Sequence, residues 1–204
     1  MNIFFVDEQH CALADSQSST LVKVREELLR RDGVGQTADP EAADAIVMEE
    51  KGSFKNFRYI AKLLEDPFVS RYTDRIFTIN TDDCATGLLR GLYTSLPKSR
   101  VDYLRHRAVP FMNYPNELIF QKHTKKDPHF VASWRGNTMS NQIRRKMLPI
   151  LSPHADISVE TTMSWLNHSQ NEKRNYIDLF LNAKFSLCPA GWAPVTYRIY
   201  ESMA

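Results

Sequence analysis

Short apolar runs and amphipathic stripes alternate along most of this chain, and no other feature limits its fold so strongly. "NIFFV" is a compact apolar run that stops at "DEQH". "STLVKVREELLRR" follows, with Leu21, Val24, Leu28 and Leu29 on one helical stripe that Asp32-Gly33 closes. "DAIVME" is the next strand candidate. "FKNFRYIAKLLE" then spaces Phe54, Phe57, Ile60 and Leu64 as a helix does, and Asp66-Pro67 stops it. "RIFTIN" is a third strand, ending at Thr81-Asp82-Asp83. Strands alternating with helices of this length predict an α/β fold, with helices on both faces of a mostly parallel sheet.

From Thr86 to Lys126 the periodicity weakens and prolines gather at Pro97, Pro110 and Pro115. "RVDYLRHRAVPFMNYPNEL" reads as one irregular strand plus loops, and "KHTKKDP" as a polar linker closed by a proline. The alternation then restarts. "HFVASW" is a strand, and Ser140 is the expected N-cap of "NQIRRKMLPIL", whose Ile143, Met147 and Ile150 face one way. "ADISVET" is a strand, "RNYIDLFLNA" a helix with Tyr176, Phe180 and Ala183 in register, and "KFSLC" a further strand. The expected architecture is two Rossmann-like halves, residues 1–125 and 126–204, the second incomplete. The last helix, "PVTYRIYESMA", has no closing glycine and no basic last turn, so the chain reads as a fragment.

Composition removes several function classes. With 26 basic and 24 acidic residues the formal net charge is +2, too balanced for a nucleic-acid footprint. The clusters Arg105 to Arg107, Lys122 to Lys126 and Arg144 to Lys146 are short and separate, as on a solvated surface. Cys11, Cys84 and Cys188 have no zinc or thioredoxin spacing, which suits buried thiols in a reducing compartment. No run approaches the about 20 apolar residues of a membrane span. These features point to the cytoplasm, and a fragment leaves a membrane anchor elsewhere open.

In open parallel sheets, ligands sit at the carboxyl ends of the strands. That rule selects "CPAGWAPVT", where Gly191 offers either a positive φ or a close backbone approach, and Pro194 suits the first helical position. Thr196 offers its amide and hydroxyl to an anion. Val195, Ile199 and Met203 form the expected buried stripe, with Arg198 and Glu201 opposite it. A guanidinium there suits phosphate oxygens and a carboxylate suits a ribose diol; a surface ion pair explains the same spacing. A second loop, "SWRGNTMSNQIRR", places Arg135, Gly136 and Arg144 for phosphate, or a glycine turn between solvated arginines. No G-x-G-x-x-G is present. A third, around "ISVETTMSWLNH", carries Glu160, Trp165 and His168. In the first half Asp7, Glu8 and His10 follow one strand and Asp82 and Asp83 another. Asp7 and Asp82 are candidate general bases, although capping is the commoner role of such residues.

"YIDLFLNAKFSLCPAGWAPVTYRIYESMA" resembles the signature of the exostosin-like glycosyltransferases, with Cys-Pro-x-Gly followed by a Thr-x-Arg-x-x-Glu helix. "SWRGNTMSNQIRRKML" is similar to the same family's earlier glycine loop, and its Trp-Arg-Gly resembles the protein O-glucosyltransferases. The resemblance covers roughly Phe130 to Ala204. It implies a two-domain glycosyltransferase of GT-B type whose first half faces a carbohydrate acceptor and whose second half binds a nucleotide-sugar donor. It further implies that Glu201 holds the ribose and that Arg198, Arg135 and Arg144 neutralise the diphosphate. Fixed cations would then do what a metal does elsewhere; no Asp-x-Asp motif is present, and no cofactor is expected. Two alternatives keep the same architecture: a non-catalytic sugar-nucleotide-binding protein and a nucleotide-sugar epimerase.

Overall fold

The apolar runs of the first half become strands that are buried because parallel sheets take helices on both faces. In the computed structural model, β1 (Asn2–Phe5), β2 (Gly35–Gln36), β3 (Ala45–Glu49), β4 (Ile76–Asn80), β5 (Arg90–Tyr93) and β6 (His106–Ala108) form one parallel sheet. Their order is β2-β1-β3-β4-β5-β6. Residues 1–52, 57–111, 116–123, 127–164 and 169–203 are described. The chain divides into two compact units, Met1–Asn113 and Tyr114–Ala204. The expected boundary at 125/126 lies outside the described residues.

In the first unit α1 (Ser19–Leu29) lays Leu21, Val24 and Leu28 on Ile3, Val47 and Ile79, as its spacing predicts. On the opposite face α2 (Phe57–Glu65) and α3 (Pro67–Tyr72) bury Tyr59, Leu63, Val69 and Tyr72 against Phe4, Ile46, Met48 and Ile76. The expected α2 stripe is therefore displaced by one residue. Leu64 is 64% exposed, Phe54 and the Phe57 side chain lie outside the described residues, and Tyr59 turns inward. The cause is the Tyr59 hydroxyl, which donates to the buried Glu50 carboxylate. Asp66-Pro67 does stop α2, and it also starts α3, with Asp66 accepting from the Phe68 and Val69 amides. The sequence reading missed α3, β2 and β5.

In the second unit β7 (Phe130–Gly136), β8 (Ile157–Thr161) and β9 (Ala183–Ser186) form a parallel sheet in the order β8-β7-β9. The helix α4 (Gln142–Leu151) joins β7 to β8, and α5 (Gln170–Leu181) joins β8 to β9. The short α6 (Tyr197–Glu201) follows β9. Asn141, not Ser140, caps α4: its Oδ1 accepts from the Ile143 amide at 3.0 Å. The expected α4 stripe is not buried, with Ile143 51% and Ile150 65% exposed. The reason is that α4 runs beside the edge strand β8, so part of its circumference overhangs the sheet. On α5 the buried residues are Ile177 and Leu179, while Tyr176 and Phe180 are half-buried and Ala183 already belongs to β9. Both units are mixed α/β with parallel sheets, compatible with a Rossmann-like fold. No helix among the described residues is long and apolar enough to cross a membrane.

Candidate functional site

The order β8-β7-β9 puts the first strand in the middle, so the loops that follow β7 and β9 lie side by side at the carboxyl ends of neighbouring parallel strands. The loops after these two strands are laced together there. Arg144 donates from Nε to the Ala190 carbonyl at 3.0 Å, from Nη1 to Asn137 at 3.1 Å and from Nη2 to Pro189 at 3.2 Å. Asn141 Nδ2 donates to the Gly191 carbonyl at 2.9 Å. Gly191 does not adopt positive φ. It is glycine because a Cβ would stand 2.8 Å from Arg144 Nη2, so of the two expected reasons the close approach holds, and what approaches is a guanidinium.

Trp134 lies beneath this lacing, 1% exposed, with the guanidinium carbons of Arg144 and Arg198 each 5.8 Å from its ring centre. A Cβ at Gly136 would press on that indole at 3.0 Å. Arg198 donates to the Arg135 carbonyl and lies 5.3 Å over the Tyr176 ring. Tyr176 in turn donates its hydroxyl to Glu201 Oε2 at 2.6 Å. Glu201 is only 6% exposed, and burial pushes its carboxyl above the usual range against the pull of Tyr176 and Arg198. Arg135 pairs with Glu160 and, at 2.8 Å, with Glu172. Burial works against its charge, but the two carboxylates prevail and raise its pKa.

The structure thus brings Arg135, Gly136, Arg144, Gly191, Thr196, Arg198 and Glu201 to one edge of one sheet. The geometry of the last helix differs from expectation. Pro194 precedes α6 instead of opening it, Met203 is 71% exposed, and Glu201 is the residue turned inward. The helix is short, and the Tyr176 hydroxyl supplies the partner that lets a carboxylate be buried. The Thr196 hydroxyl caps nothing although Thr196 is the N-cap, and it is buried without a partner. Trp134 Nε1, Arg135 Nε and Ser140 Oγ are in the same condition. Among the described residues the other such atoms belong to Thr86, Arg90 and His106 in the first unit. Sequence reading missed Asn141, Glu172 and the Tyr176–Glu201 pair, whose members are far apart in the chain. Trp165 and His168 lie outside the described residues.

In the first unit, Asp7 Oδ1 meets His10 Nδ1 at 2.6 Å, and that hydrogen bond holds the Asp7 carboxyl below its usual range. The imidazole edge packs on Phe4 and Phe68, at 4.9 and 5.7 Å between ring centres. Asp82 follows β4, two strands from β1, and its amide donates to Asn80 Oδ1 at 3.1 Å, so these two carboxylates sit at different strand ends. The buried carboxylates here are ones the sequence reading passed over. Glu49 accepts from Ser18 and Thr81, and Glu50 accepts from Tyr59 and from Thr78 at 2.8 Å. Burial raises the pKa of both. No group of three metal-ligating side chains occurs among the described residues.

Comparison with known proteins adds one finding. Neither the curated proteins nor the solved structures contain a match to this chain. The stretch carrying the whole of the second-unit site does have one: residues 111–204 match the family model of the RXYLT1 C-terminal domain, a family related to the exostosin-like glycosyltransferases.

Proposed function

We propose that this protein transfers a sugar from a nucleotide-sugar donor, a UDP-sugar, to a hydroxyl of a glycan or other acceptor, with the donor held at the carboxyl edge of β7 and β9. The observation that carries the reading is a local excess of unmet hydrogen-bonding capacity. Trp134 Nε1, Arg135 Nε, Ser140 Oγ and Thr196 Oγ1 are buried and unpaired on or beside the loops at the carboxyl ends of β7 and β9, where open parallel sheets take ligands. The family match over the same residues supports it.

Charge supports it as well. Arg144 and Arg198 each donate to backbone carbonyls of these loops, which sets two guanidinium groups beside the glycine positions. In the transfer step the acceptor hydroxyl oxygen becomes bonded to the anomeric carbon, the bond from that carbon to the diphosphate oxygen breaks, and the diphosphate oxygen leaves with the electron pair. Fixed guanidinium charges and loop amides stabilise it without reorganising. Arg135 is already matched by two carboxylates, and its part is to anchor β7 to β8 and α5. Glu201 keeps Oε2 for Tyr176 and turns Oε1 to a ribose hydroxyl. Asp7, acting through His10, and Asp82 are the candidates for taking up the acceptor proton.

The test is the release of UDP from a panel of UDP-sugars, with and without a mixed glycan acceptor. Acceptor-dependent release that falls in Arg144→Ala and Arg198→Ala supports the transferase. UDP binding with no release by any donor favours the second reading, a sugar-nucleotide-binding protein without turnover. The buried Tyr176–Glu201 pair and the doubly paired Arg135 are the observations that favour it. Acceptor-free interconversion of donor sugars would indicate an epimerase instead.

A further inference from the structure

The sheet of the first unit is finished on one face and unfinished on the other. Between α1 and the segment before β6, the face of β3, β4 and β5 opens as a groove of about 540 Å³. Val24 and Leu28 of α1 line one side, and Phe77 and Leu92 line its floor. Leu104, 91% exposed, stands on the far side, and Phe77 is 42% exposed. Strands of a parallel sheet are ordinarily covered on both faces. Here the connections β4–β5 and β5–β6 carry no α-helix among the described residues, only a 3-10 turn at Lys98–Arg100. The groove lies beside α1 on the same face, where the next crossover helix of a doubly wound sheet packs.

Its charge has one sign. The charged residues lining it are Arg90, Arg105 and Arg107, and no carboxylate lines it. Arg105 Nη2 donates to the Leu88 carbonyl at 3.0 Å, and Arg107 Nη1 to the carbonyls of Tyr103 and His106. None of the three takes part in an ion pair among the described residues, so their charges are uncompensated. Arg90 lies over the Phe77 ring at 5.6 Å, and its Nε is buried with no acceptor. An apolar floor with three uncompensated guanidinium groups around it calls for an apolar stripe flanked by carboxylates. A sheet face, unlike a sheet edge, offers no backbone hydrogen bonds, so the element that fits it is a helix.

We propose that this groove seats an amphipathic helix of a partner protein, with aliphatic residues at i, i+3, i+4 and i+7 and acidic residues on both flanks. The test uses two labelled synthetic peptides of about 18 residues that share that aliphatic stripe, one flanked by glutamates and one by lysines. Anisotropy titration of the whole chain should show the glutamate peptide binding about tenfold more tightly or better, with the gap narrowing as salt rises. Charge reversal by Arg105→Glu with Arg107→Glu, both exposed positions, should invert the preference. Leu104→Asp, at a residue with almost no burial to lose, should weaken the glutamate peptide in an otherwise unaltered chain. Equal affinity for both peptides, binding to neither, or indifference to the charge reversal would overturn the proposal. So would sedimentation showing that Leu104→Asp dissolves a dimer of this chain, which would make a second copy the occupant. Flotation with phosphatidylglycerol vesicles that depends on Arg105 and Arg107 would assign the patch to a membrane surface and overturn it equally.

Discussion

At the scale of single residues, the second-unit site is built around one guanidinium. Arg144 bonds to three carbonyls in two loops, and Gly191 is the residue that lets it approach. Gly191→Ala should therefore cost about 1–3 kcal/mol, because the new methyl meets a side chain that cannot swing away. Arg144→Ala removes the obstacle along with the clamp, so the two changes should be coupled by about 1 kcal/mol in a double-mutant cycle of denaturation. Strict additivity would mean that Gly191 is required for some other reason. In the first unit, the Glu50 carboxyl titrates above its ordinary 4.5 because burial disfavours its ionised form, which the Tyr59 and Thr78 bonds only partly restore. Its protonated form stabilises the fold below that ordinary value, and this contribution is lost as pH rises through the folded pKa. Glu50→Gln has no proton to lose. Melting temperatures taken from about pH 4 to about pH 8 should show the variant gaining on the unaltered chain as pH rises. A constant difference would contradict this account of Glu50.

At the scale of elements, caps and stops decide more than stripes do. Asp66 ends one helix and caps the next, accepting from two amides of α3 at 2.9 and 3.0 Å. Asp66→Ala should cost about 1 kcal/mol and speed hydrogen exchange at Phe68 and Val69, with Asp66→Asn nearly neutral. Exchange unchanged in the alanine variant would show that α3 is held by the packing of Val69 and Tyr72 alone. The same elements show what was legible in advance. The apolar runs "NIFFV", "DAIVME", "RIFTIN", "HFVASW", "ADISVET" and "KFSLC" became β1, β3, β4, β7, β8 and β9, because a short apolar run bounded by turn residues announces a parallel strand without reference to its partner. The strand β5, "RGLY", stayed hidden: it has a glycine and an arginine where apolar side chains are expected, and it is recruited by β4. Helix faces were read less well, since Tyr59 and Glu201 are turned inward by polar partners, Glu50 and Tyr176, that periodicity does not encode. That Arg135, Gly136, Arg144, Gly191, Thr196, Arg198 and Glu201 gather at one sheet edge was legible through motif and strand-end position. Their partners were not, because Asn137, Glu160, Glu172 and Tyr176 belong to other elements.

At the scale of the whole molecule, the two units carry unequal cores. Both clusters of buried apolar residues found among the described residues belong to the first unit, whereas α4 in the second buries none of its residues. Denaturant should open Tyr114–Ala204 before Met1–Asn113, visible as earlier exchange of the β7, β8 and β9 amides. A single exchange level for all strands would show instead that the units open together. The candidate donor site belongs to the second unit, where buried unpaired polar atoms and the Arg144 and Arg198 guanidinium groups meet at the carboxyl ends of β7 and β9. Calorimetric titration of the chain and of Arg198→Ala with UDP and with uridine tests it most directly. The account predicts that UDP binds the unaltered chain, that Arg198→Ala weakens UDP roughly tenfold or more, and that uridine is scarcely affected. Equal losses for the two ligands would make Arg198 a structural residue, and an unaltered chain indifferent to UDP would contradict the donor site itself.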